Sequence, residues 1–122
     1  MGRFARGDIL SRSKVFAVRA IRFVRSLPSE PASRHIGLQC LRAATSVGAN
    51  LHEADMADTV KDFISKVNVA QKEAGEVCYW LALLAEAGIV ATENLRTLAA
   101  ESEELRKICR QIILSTRRSA VP

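Results

Sequence analysis

The feature that most constrains this chain is a seam of apolar residues in its middle. Phe63, Val67, Ala70, Ala74, Val77, Leu81 and Leu84 recur at alternating spacings of four and three. That rhythm places every one of them on a narrow stripe of one long helix, which has to be buried against other helices. Leu95, Leu98, Ser102, Leu105, Cys109, Ile112 and Thr116 repeat the pattern further on, and Ile9, Phe16, Ala20, Phe23, Val24 and Leu27 form a third stripe near the start. No run alternates with the period of a strand, and aromatic residues make up only 5% of the chain, so an all-helical fold is expected.

Punctuation gives four helices, at about 8–26, 33–54, 59–87 and 92–116. Asp8, Thr59 and Thr92 offer caps, Pro28 and Pro31 stop the first helix, and Gly88 closes the third. Short connections between long helices imply an antiparallel, up-down-up-down four-helix bundle. The 122 residues form one domain, and the ends, Met1 to Arg6 and Arg117 to Pro122, are expected to fray.

The second helix is unusual. Ile36, Cys40, Ala43, Val47 and Ala54 make one apolar band, and Leu38, Leu41, Ala49 and the methyl of Thr45 make a weaker second one. Between them runs a polar stripe of His35, Gln39, Arg42, Ser46, Asn50 and Glu53. A helix apolar on two sides is buried on two sides, which a small monomer rarely provides, so self-association is expected. Leu38 and Leu41, with Trp80 and Leu83 lying outside the main seam of the third helix, are the candidate interface residues. Ser46, Asn50, Glu53, Glu73 and Glu76 are the candidate structural polar network, facing Arg42, Lys66, Lys72 or backbone groups.

Those acids also raise the possibility of a di-metal carboxylate site, which needs Glu-x-x-His on two helices of a bundle. Neither Glu73 nor Glu76 has a histidine three residues on, and His52 points away from Glu53, so no metal, no cofactor and no enzyme is expected. The cysteines Cys40, Cys78 and Cys109 fall singly on three helices, as reduced, buried thiols of a cytoplasmic protein do. No apolar run approaches the roughly 18 residues of a membrane span.

Charge is distributed in blocks. Met1 to Arg42 holds nine Arg or Lys against two acids, Ala43 to Leu95 three against eight, and the remainder six against three. On the first helix Lys14, Arg22 and Arg25 point away from the apolar stripe, with Arg12 and Arg19 flanking it. An arginine-rich face suits phosphate oxygens, so these five residues are the candidate nucleic-acid contacts. With no aromatic among them to stack bases, any binding of RNA or DNA is expected to be to the backbone and poor in sequence selectivity. A solvated face that merely keeps the protein soluble and a surface for docking a protein partner are the alternatives.

Three stretches carry a resemblance: Ala44-Thr-Ser-Val-Gly-Ala-Asn-Leu-His-Glu-Ala54, Lys61-Asp-Phe-Ile-Ser-Lys66, and Gln71-Lys-Glu-Ala-Gly-Glu-Val-Cys-Tyr-Trp-Leu81. Together they resemble the bacterial four-helix-bundle proteins encoded within intervening sequences of large-subunit ribosomal RNA genes. The same fold is used by accessory variability proteins of diversity-generating retroelements, which partner a reverse transcriptase. The resemblance covers roughly Phe16 to Ile113. It implies a homopentamer built around a central channel, in agreement with the doubly apolar second helix, and nucleic-acid association. At Glu53-Ala54 many relatives carry Glu-Gly, so the second helix is expected to run on here. The polar stripe fits the ribosomal branch better than the retroelement branch.

Overall fold

The computed structural model describes residues 2–4 and 8–120, and the described residues form a bundle of four helices with no strand. Helix α1 spans Asp8–Arg25, α2 Pro31–Asp55, α3 Val60–Glu86 and α4 Thr92–Ala120.

The local chemistry of the ends explains these limits. Pro31 opens α2 instead of stopping α1, two residues before the expected start. Its fixed φ suits the first helical position, where an N–H would have no partner. Glu30 is the N-cap, its carboxylate accepting the Ser33 backbone N–H. Thr59 caps α3 by accepting the Asp62 N–H at 3.0 Å. At the other end Ala87 is the C-cap, and Gly88 follows it at φ +73°, a conformation that costs a residue with a side chain far more.

The core runs the length of the bundle. Phe16, Cys40, Ala43, Ala44, Val47, Leu51 and Ala54 join the whole α3 seam and Leu95, Leu98, Leu105 and Cys109. Two expectations are corrected within it. On α4 the buried residue is Ile113, while Ile112 is only partly buried, because Leu105, Cys109 and Ile113 follow one another at spacings of four on the inward face. On α1 the polar Ser13 is fully buried, its hydroxyl donating to the Leu10 carbonyl at 3.0 Å. Ser13 faces Gly48, where a Cβ would lie 3.2 Å from its Oγ, so two small residues let α1 and α2 approach closely.

Packing links α1 to α2, α2 to α3 and α3 to α4, and closes the square with a much slighter contact between α4 and α1. Gly37 meets Val24 and Leu27, and Gly48 meets Ser13. Arg42 reaches Glu73, Lys66 reaches Glu53, and Cys78 reaches Ser102.

The described parts of the two ends make contacts where fraying is expected. Helix α4 extends to Ala120, and the Arg3 N–H donates to the Asp55 carbonyl at 2.9 Å while the Phe4 N–H donates to the Asp55 carboxylate at 2.8 Å. Phe4 stacks at a tilt on Phe63, ring centroids 5.4 Å apart. The rest of the segments in question, Met1, Ala5, Arg6, Val121 and Pro122, lies outside the described residues.

Candidate nucleic-acid interface

The basic residues of α1 separate into two kinds. Arg12 is spoken for: its Nε and Nη2 donate to Glu101 of α4 at 2.7 and 3.0 Å, a two-pronged pair that also raises the guanidinium pKa. Arg12 is therefore an inter-helix clasp and not an available phosphate ligand. Lys14, Arg19, Arg22 and Arg25 are exposed and, among the described residues, make no salt bridge. Glu101 lay beyond reach of the sequence, because nothing in the spacing of either helix fixes the register of α1 against α4.

These four cations do not stand on a purely polar face. Val15 is 51% exposed, and Val18 and Ile21 are also exposed. Lys14, Val15, Val18, Arg19 and Arg22 border one shallow hollow. The helical spacing sorts α1's outer residues into two lines. Arg12, Val15, Arg19 and Arg22 run on the α4 side, as the Arg12–Glu101 pair shows. Lys14, Val18, Ile21 and Arg25 run on the α2 side, where Arg25 and Leu38 share a groove.

The polar stripe is distributed among three separate pairings. Asn50 Nδ2 donates to the Ser46 carbonyl at 2.8 Å and lies 3.2 Å from the Ser46 hydroxyl. Glu53 pairs with Lys66 at 3.1 Å. Arg42 donates to Glu73 at 2.8 Å and to Glu76 at 2.5 Å, and the Trp80 indole N–H donates to Glu76 at 3.0 Å. Burial pushes the Glu76 carboxyl upward, but the bonds from Trp80 and Arg42 outweigh it and hold the group below the usual carboxylate range. Lys72 is exposed and joins none of the described bonds. His52 turns its Nδ1 to the Gly48 carbonyl at 2.9 Å, away from the acids. The arrangement ties α2 to α3 by charge-assisted hydrogen bonds.

Leu38, 63% exposed, lies in the α1–α2 groove beside Arg25, and Leu41 is half-buried. Trp80 and Leu83, also half-buried, sit on the α3 line that carries Glu73 and Glu76. The polar stripe of α2 turns toward α3, which leaves its second apolar band turned toward α1.

Cys40 and Cys109 are buried thiols, pushed by burial up to about 11 and about 12 respectively. Cys78 is half-buried, its Sγ 3.0 Å from the Ser102 hydroxyl. No helix among the described residues is long and apolar enough to cross a membrane.

Residues 6–111 match the family described as 23S rRNA-intervening sequence protein. The fold is similar to the crystal structure of a protein of unknown function from the S23 ribosomal protein family of Bacteroides thetaiotaomicron VPI-5482. The TM-score is 0.81 at 37% identity, covering 86% of this chain and 97% of that one. No curated protein matches the sequence.

Proposed function

This chain belongs to the 23S rRNA-intervening sequence protein family, and from that premise we propose that it is a non-enzymatic, oligomeric accessory protein that binds the backbone of RNA or DNA. The observation that carries the reading is the set of unpaired cations on α1. Among the described residues Lys14, Arg19, Arg22 and Arg25 make no salt bridge, whereas Arg12, Arg42 and Arg106 do, and the four stand together on one exposed helix face. Unpaired, exposed guanidinium groups suit phosphate, and the absence of an aromatic residue from this face favours backbone over base contacts.

The up-down-up-down course belongs to the same proposal. It is supported by contacts whose numbers rise on one helix as they fall on the next: Ser13 with Gly48 and Val24 with Gly37, then Arg42 with Glu76 and Glu53 with Lys66. The assembly is a pentameric ring in the cytoplasm, favoured by the exposed apolar residues Leu38, Val15 and Val69. Repetition around a ring multiplies a weak single-subunit contact through effective concentration.

A second reading is favoured by Val18, Ile21 and Leu38, apolar and exposed beside Lys14 and Arg25. Such a mixed face suits a protein partner that itself handles nucleic acid, a reverse transcriptase being one example. Filter binding separates the two. Wild-type protein is expected to retain RNA at low salt, and the Lys14→Glu/Arg25→Glu double variant to lose retention at unchanged mass by light scattering. Absence of retention by the wild type at low salt would leave the protein-partner reading in its place.

A further inference from the structure

The loosest seam of the bundle is the one between α1 and α4, held by the Arg12–Glu101 pair. Along its α1 side run Arg12, Val15, Arg19 and Arg22 at spacings of three and four, with Val15 half exposed. In the square of helices the opposite edge is α2–α3. There Val69, Glu73, Glu76, Trp80 and Leu83 follow one another on α3 at spacings of four and three, with Val69 exposed and Trp80 and Leu83 half-buried. Each edge is thus a line at helical period that mixes apolar and charged residues, and the charges are of opposite sign. Glu73 and Glu76 share the single guanidinium of Arg42, which leaves one negative charge over. On the other edge Arg19 and Arg22 make no salt bridge among the described residues.

We infer that the α1 line of one copy docks against the α3 line of a second copy, with Val15 on the Val69 side, Arg19 facing Glu73 and Arg22 facing Glu76. The occupant is a second copy because the complementary line is carried by the same chain on the opposite side of the bundle. Head-to-tail use of two different edges leaves neither uncovered once a ring closes, whereas a two-fold dimer would set like charges against each other. The inference rests on the oligomeric part of the proposed function and divides the basic face of α1 in two. Arg19 and Arg22 serve assembly, and Lys14 and Arg25, on the line toward α2, remain for the nucleic-acid backbone.

The test is cross-linking with a short bis-maleimide in the full chain carrying Cys78→Ser, since Cys40 and Cys109 are buried. A chain with both Val15→Cys and Val69→Cys is expected to give a ladder of covalent oligomers. The two single variants are expected to give a product only when mixed, and then only a covalent dimer. Self-linking by either single variant would overturn the head-to-tail contact, and so would a full assembled mass with no cross-link. Arg19→Glu is expected to lower the assembled mass, which Lys14→Glu should leave alone. A monomer mass for the wild type would overturn this contact together with the ring. Loss of RNA retention with cross-linking intact would count against the nucleic-acid reading alone.

Discussion

The α2–α3 seam and the α1–α4 seam are built from the same residue types to different effect. Between α2 and α3, the apolar stripe from Phe63 to Leu84 meets Cys40, Ala43, Val47 and Leu51, and above this core Arg42 and Lys66 are matched to Glu73, Glu76 and Glu53. Between α1 and α4 the contact is slight, one ion pair spans it among the described residues, and Val15 beside it is exposed. An arginine on the first seam belongs to the architecture; three of the four on α1 do not. What decides availability to a ligand is therefore the partner across the seam and not the local density of positive charge.

The comparison breaks most readily at the core. Leu81→Ala should destabilise the chain by roughly 2–5 kcal/mol in urea unfolding, because the side chain is enclosed on all sides and its removal leaves a cavity. Glu76→Ala should cost less, about 1–2 kcal/mol. It strips the Trp80 indole of its acceptor and Arg42 of one of two carboxylates, but the site is partly open to water. The same group gives a pH dependence of definite sign. Its folded pKa lies below its unfolded value, so its contribution is fully present at neutral pH and is lost as pH falls through the acid carboxylate range. The urea midpoint should fall between pH 7 and pH 3, and Glu76→Gln should shrink that fall. Smallest of all, Arg12→Ala should cost at most about 1 kcal/mol, as an exposed pair does. A loss as large as that of Glu76→Ala would show the α1–α4 seam to be better built than its contacts indicate.

The α3 seam was legible because a period of alternating four and three leaves a helix no other face to bury. The Glu-Ala-x-Glu run of α3 likewise announced a partner for Arg42, and Glu53 found Lys66. What the residues could not disclose was register between elements distant in the chain. Arg12 and Arg19 both flank the apolar stripe of α1, and what separates them is the placement of Glu101, 89 residues away from Arg12. Pro31 misled for a local reason: the same ring that ends a helix from within also starts one, and Glu30 and Ser33 decide which. Ser13 and Gly48 hide in the core because close approach of two backbones rewards small size, which apolar periodicity does not register.

The central claim is that pairing within the fold withholds Arg12 from the proposed phosphate contacts and leaves Arg25 to them. It is tested most directly by the salt dependence of RNA retention for Arg12→Gln and Arg25→Gln, each compared with wild type at equal assembled mass. Each phosphate neutralised contributes about 0.7–0.9 to the slope of log affinity against log salt. Arg25→Gln should therefore flatten the slope by about that amount per contacting subunit, and Arg12→Gln should leave it unchanged. Equal flattening by both substitutions, or no flattening by Arg25→Gln, would contradict the account.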